Sequence, residues 1–255
     1  WLRAVPATAQ VGANTTGLPG PGPWLVIGTL EALSVFHPAF EHATTEAWVS
    51  VAMHEFIHTH QLRAPGFERE RHAIETRSSD AAQLSVIYSE DAAYRQLVAR
   101  EYSLLVTAAE RAPEDRAAAL RALRSWWSLY RKRVRYLQAH HGSRVRDRTI
   151  EDDALFSYME GTARFVESDF LANTSQHPRT SLTHDPRFHG YDQFIGRGYE
   201  GSPNRQLDTQ YFYAIGYHVC VLLERVDPHW KYSVHTRSHQ LFGIVSSLAA
   251  EGGGG

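Results

Sequence analysis

His54-Glu55-Phe56-Ile57-His58 is the stretch that most constrains how this chain can fold. Two imidazoles four residues apart serve one point in space only if the run around them is helical, because residues i and i+4 stack on one helix face. The flanks agree. Thr44 or Thr45 offers an N-cap, apolar Ala47, Trp48, Val51, Ala52, Phe56 and Ile57 follow, and Pro65-Gly66 stops the run. These apolar residues fall on more than one face, which predicts a mostly buried helix. With 15 histidines in 255 residues, the five-residue pattern is expected by chance roughly 0.06 times.

The pattern is H-E-x-x-H, in which His54 and His58 bind zinc and Glu55 serves as general base. Glu55 follows the first histidine but is rotated about 100° around the helix axis, so it borders the open coordination position of such a metal without filling it. The competing reading is a core helix whose two histidines are merely hydrogen-bonded.

Composition bounds the rest. A chain that is 43% hydrophobic and 21% charged can bury one large domain or two tightly joined lobes. A net charge of −2 gives no whole-chain reason for nucleic acid or an anionic membrane surface. Cys220 is the only cysteine and has no partner for an intrachain disulfide. No apolar stretch approaches the ~20 residues of a membrane span. The chain starts at Trp1 without Met, which reads as a processed or trimmed protein; the compartment stays open, an extracytoplasmic one with the signal segment already removed being one reading.

In chain order, residues 1–23 read as an extended Pro/Gly-rich arm, 24–250 as the catalytic domain and 251–255 as a glycine tail. Trp24-Leu25-Val26-Ile27-Gly28 is the clearest strand candidate. The segment 64–79 reads as polar and irregular, and a single helix is expected from Asp80 to about Ala112, before Pro113. A second long helix, Glu114 to about His141, carries Arg121, Arg124, Arg131, Lys132 and Arg135 on a face best read as solvated. Glu151 to Leu171 follows, with Glu160 within or beside the buried stripe of Phe156, Met159, Ala163 and Val166. A carboxylate there needs a partner, and Gly161 and Ala163 leave room for a close neighbouring helix. The polar run 172–208, with Arg187, Phe188, His189, Tyr191, Phe194, Arg197 and Tyr199, is either a substrate rim or a loose loop. Asn14-Thr15-Thr16 and Asn173-Thr174-Ser175 match the glycosylation triplet. Gln210 to Val226 and about Val234 to Ala250 are the last helices.

H-E-x-x-H followed by Met159-Glu160-Gly161-Thr162-Ala163 on a later helix resembles the gluzincin metallopeptidases. Tyr213-Ala214-Ile215-Gly216 is similar to the Tyr-x-x-Gly helix of gluzincin aminopeptidases, and the pairing of H-E-x-x-H-x-x-Q (His54 to Gln61) with an E-G-x-A-x-F-V-E helix (Glu160 to Glu167) resembles uncharacterised bacterial putative peptidases. The likeness covers three patches. It departs in the separation of 102 positions from His58 to Glu160, and in Arg164, which stands where many gluzincins carry an acidic residue. What the resemblance implies is a mainly α (α+β), zincin-like helical fold with a small N-terminal sheet or edge strand, zinc held by His54, His58 and Glu160, and Tyr213 as donor to the oxyanion. Glu167, Glu101, Glu90 and His60 are the alternative ligands; Tyr217, His218 or His189 are the alternative donors.

The function expected from these residues is zinc-dependent hydrolysis of a peptide or protein substrate, without nucleic acid and without a membrane span. A non-peptide amidase or esterase, or a zincin-like binding protein without turnover, uses the same ligands. An intact Glu55 argues against the last, since a structural site has no need of a base.

Overall fold

The computed structural model describes residues 11–14, 24–27, 43–64, 66–76, 79–111, 115–175, 186–188, 210–234 and 240–251. The protein is mainly helical, as its sequence pattern requires. Its own contacts divide it into two compact units, the first made of 1–63 and 166–197, the second of 64–165 and 198–255.

In the first unit, β1 (Val11–Asn14) and β2 (Trp24–Ile27) form an antiparallel ribbon in which Val11 pairs with Ile27 and Asn14 with Trp24. The ribbon packs on α1 (Thr45–Gln61). Thr44 begins that helix by accepting the Ala47 amide on its hydroxyl at 3.3 Å, one of the two caps the sequence offers. The Thr45 amide donates to the Arg187 carbonyl at 3.1 Å, tying the loop residue to the helix start. The side chains that α1 buries are Glu46, Ser50, His54, Ile57, Thr59 and Gln61. Phe56 stands 51% exposed. The buried stripe of this helix is therefore polar, where the count of apolar residues pointed to a greasy one.

The second unit opens with α2 (Phe67–Glu75), in a segment expected to be irregular. Its Phe67 is wholly buried and meets the Tyr158 ring edge-on at 5.5 Å, which is the tertiary contact that outweighs a polar local sequence. The expected helix from Asp80 to about Ala112 is two helices, α3 (Ser79–Glu90) and α4 (Ala92–Arg111). Asp91 makes the break: its carboxylate accepts the amides of Ala93 and Tyr94, both at 3.0 Å, and so caps α4. The Tyr136 hydroxyl and His141 Nε2 reach the same carboxylate. Burial works against its charge, but these hydrogen bonds outweigh it and hold the Asp91 carboxyl below its ordinary range.

α5 (Arg116–His141) starts on Asp115, which accepts from the Ala117 amide at 2.8 Å. Gly142, at φ 90°, turns the chain into α6 (Ser143–Phe156), so this helix begins before the expected Glu151. A single π-helical turn, Ser157–Gly161, interrupts what reads in sequence as one helix, and α7 (Thr162–Ser175) continues from it and passes from the second unit's share of the chain into the first's. The last helices are α8 (Gln210–Val226), the short α9 (Trp230–Val234), which sequence reasoning missed, and α10 (Gln240–Ala250), which is the described part of the helix expected from about Val234 to Ala250; 235–239 lie outside the described residues.

α4, α5 and α8 pack on one another to form the core of the second unit. Leu105, Leu123, Leu137, Val219 and Leu222 are fully buried there, and Trp126, Tyr130 and Phe242 form an aromatic cluster with centroids 5.1–5.7 Å apart. Inside it Arg133 binds two carboxylates, Glu101 at 2.8 Å and Asp153 at 2.8 Å, all three side chains at most 2% exposed. None of the described helices is long and apolar enough to cross a membrane.

Candidate metal centre

Three side chains of α1 gather as the sequence expects. His54, Glu55 and His58 each bring a ligand atom to within 4.8 Å of the others, with the two imidazole planes at 89° and their centroids 4.6 Å apart. The four-residue repeat explains why: it stacks the histidines, while Glu55 sits at the edge of their face.

Each imidazole also has an oxygen near its Nδ1. His58 Nδ1 lies 2.7 Å from Gln61 Oε1, one turn on. An amide carbonyl only accepts, so Nδ1 is paired with it in the tautomer that carries the proton on Nδ1 and the lone pair on Nε2. His54 Nδ1 lies 3.4 Å from Glu167 Oε2, on the part of α7 that belongs to the same unit. The second oxygen of Glu167 accepts a hydrogen bond from the Ser50 hydroxyl, one turn before His54. Glu167, Ser50 and His54 are each under 9% exposed. Metal-binding histidines are typically held in this manner, one ring nitrogen donating to an oxygen while the other faces the ion.

Glu160 and Tyr213 lie in the second unit, where their segments meet. Glu160 is half-buried on the π turn, a rare geometry that occurs disproportionately at functional sites. Gly161 on that turn faces Gly216 of α8 so closely that a Cβ on Gly216 would lie 2.6 Å from the Gly161 Cα and nearer still to the Ser157 carbonyl oxygen. The close helix approach expected at Gly161 is thus present, with the Tyr-x-x-Gly helix as the neighbour. Tyr213 is half-buried, one turn before Gly216.

The alternatives sort themselves. Glu101 is committed to Arg133, which removes it as a ligand. Glu90 and His60 are exposed, His60 on a different side of α1 from the stacked pair. Glu167 has both oxygens engaged, with Ser50 and His54. His218 is buried with Nδ1 2.7 Å from the Ala214 carbonyl, and burial pulls its pKa down to about 4 against that bond's opposing effect. A neutral ring whose one N–H is spent on Ala214 has nothing to donate to an oxyanion, so His218 drops out of that role. Tyr217 remains half-buried beside the His218 ring. His189, Tyr191, Phe194, Arg197 and Tyr199 lie outside the described residues.

Sequence reasoning passed over the holding groups. Ser50 lies four residues before His54 and Gln61 three after His58, so both spacings were visible in the chain, whereas the Glu167 contact spans 117 positions and had no local signal. Comparison with protein-family models, curated proteins and solved structures returns no match to this chain.

Proposed function

We propose that this protein is a zinc-dependent hydrolase of peptide bonds, with His54 and His58 as metal ligands and Glu55 as general base. The observation that carries the reading is the gathering of His54, Glu55 and His58, each with a ligand atom within 4.8 Å of the others, and an oxygen beside Nδ1 of each imidazole, Gln61 Oε1 at 2.7 Å from His58 and Glu167 Oε2 at 3.4 Å from His54. A helix in which histidines are mere filler has no cause to bury Glu46, Ser50, His54 and Gln61 along one stripe.

The donor set suits the ion. Zinc accepts imidazole nitrogen and carboxylate oxygen, and catalytic sites use three such ligands with one position open. Cys220 offers no competing thiolate: it is fully buried on α8 in the second unit, and burial, reinforced by Glu224 and only partly offset by Lys231, pushes its thiol well up. The sequence motif nominates Glu160 as the third ligand and Tyr213 as the oxyanion donor, and both stand as part of the proposal.

Zinc, when bound, would polarise the substrate carbonyl and lower the pKa of a water toward ~7. Glu55 would act as the base that takes a proton from the attacking water and returns it to the departing amine, which restores the carboxylate. Tyr213, by the sequence motif, would be the donor to the oxygen on which charge develops.

The test is metal content by elemental analysis, paired with turnover of a peptide library. Wild type and Glu55→Gln are expected to hold about one zinc per chain, with turnover in the variant reduced about 10²–10⁴-fold, and His58→Ala to hold none. Metal retained by His58→Ala, or none taken up by wild type after reconstitution, would refute the proposal.

A further inference from the structure

We infer that Glu167, braced by Ser50, and Gln61 are positioning residues that lock His54 and His58 in their Nδ1–H tautomers before any metal arrives. The inference rests on the metal-site reading above and deepens it, because it states how the site is prepared and rules on what Glu167 does. Glu167 comes from a distant helix to a 3%-exposed position, where an ionised carboxylate is costly unless both oxygens are satisfied. They are: Ser50 donates to one and His54 Nδ1 faces the other. A carboxylate oxygen accepts, so at 3.4 Å His54 Nδ1 is paired with Glu167 in the tautomer that carries the proton on Nδ1.

The four-residue rhythm of α1 builds the rest. Ser50 stands one turn before His54, so a single carboxylate placed across from the helix meets both. Gln61 stands three residues after His58 and closes on it from its own helix. One ring is thus fixed from a helix distant in sequence and the other locally. An isolated neutral imidazole carries its proton on either nitrogen, and a ring so disposed must be reoriented or switch tautomer before both ligands offer Nε2. Here that rearrangement is already made, which raises affinity by removing an ordering cost from the binding step. With both oxygens of Glu167 used in this way, Glu167 is a holder of His54 and not a metal ligand.

The test uses the full chain, metal-free and ¹⁵N-labelled, with imidazole tautomers read by long-range ¹H–¹⁵N spectra at neutral pH and zinc dissociation constants read by competition with a chromophoric chelator. Expected for wild type are Nδ1–H resonances for both His54 and His58. Glu167→Ala is expected to lose that state at His54 alone and to weaken zinc about 10–100-fold. Gln61→Ala is expected to act on His58 alone. Glu167→Gln keeps an oxygen acceptor and is expected to retain the His54 tautomer with a smaller loss of affinity, so it serves as the rescue variant and covers the case in which Glu167→Ala does not fold. Ser50→Ala is expected to weaken zinc in the same direction as Glu167→Ala.

Nε2–H at His54 in wild type, or zinc affinities within twofold of wild type in Glu167→Gln, Ser50→Ala and Gln61→Ala together, would overturn the inference. Zinc refused by wild type would instead refute the proposed function, and the tautomer spectra would still judge the positioning separately.

Discussion

Gly216→Ala and Gly243→Ala are the same chemical change in two helices of the second unit, and the structure gives them opposite signs. In a helix interior, Ala is favoured over Gly by about 0.8–1.0 kcal/mol. At Gly243, which is exposed on α10, an added Cβ meets nothing within 4 Å, so that gain of close to 1 kcal/mol should appear as stability. At Gly216 the same Cβ falls 2.6 Å from the Gly161 Cα and 2.9 Å from the Ser157 carbonyl carbon, whereas ordinary contact begins near 3.4 Å. The obstructing atoms are backbone, held in the π turn, the Ser157 carbonyl oxygen nearest of all, so relief to ordinary contact requires moving the turn and α8 apart by about 1.4 Å. Overpacking of that kind costs typically 1–3 kcal/mol, and rigid backbone on both sides puts this case at the upper end, so subtracting the propensity gain leaves about 2 kcal/mol of destabilisation. Urea unfolding followed by circular dichroism reads both. With a slope of about 2 kcal/mol per molar, the midpoint should fall by on the order of 1 M for Gly216→Ala and rise by on the order of 0.5 M for Gly243→Ala. A Gly216→Ala protein as stable as wild type would show that the π turn and α8 are not in backbone contact.

Two further outcomes follow from buried charge in the same unit. Arg133→Met strands Glu101 and Asp153 in the core and should cost about 3–5 kcal/mol, against less than about 0.5 kcal/mol for Arg146→Ala at its partly exposed pair with Asp147; thermal melts of the two side by side decide it, and equal shifts would refute the assignment of Arg133 as the core counter-ion. His218, with a folded-state pKa of about 4 against 6.5 when exposed, binds its proton more readily unfolded; its stabilising effect is therefore complete above pH 6.5 and is lost as pH falls toward 4, about 3 kcal/mol in all, and urea midpoints across that window should slope less in His218→Leu than in wild type.

Periodicity revealed the existence of the long helices, since α5 and α8 carry their apolar residues at helical spacing with Asp-Pro or a capping Asp at an end. It did not reveal the breaks. Asp91 stops a continuous apolar rhythm by taking the Ala93 and Tyr94 amides onto its side chain, a choice stabilised from α5 by Tyr136 and His141, which no window of local sequence contains. The π turn is likewise a tertiary product. Ser157–Gly161 would continue as ordinary helix by propensity, and it is the Gly161–Gly216 approach that the extra residue accompanies, from a helix more than fifty positions later. Of the candidate centre, the histidines and Glu55 were legible because one helical turn sets their spacing. Glu167 was visible only as one of several spare carboxylates.

The misread face of α1 is the most instructive of these differences. Counting apolar residues in Thr45–Gln61 suggested a buried greasy helix, yet Glu46, Ser50, His54 and Gln61 are inside and Phe56 is half exposed. Those four positions step by four, four and seven residues, which is one helical stripe. A stripe of that kind costs free energy to bury, and the cost is offset where its polar groups are answered, as Glu167 answers Ser50 and lies beside His54 and as Gln61 meets His58. Stability alone would be served as well or better by apolar residues across the whole set, Ser50, His54, Gln61 and Glu167 together, because apolar replacement of a complete buried polar network is often neutral or stabilising. On the proposed reading, that buried face serves to hold the two imidazoles for a metal, and a stability cost accepted at Ser50, His54 and Gln61 then has its counterpart in binding.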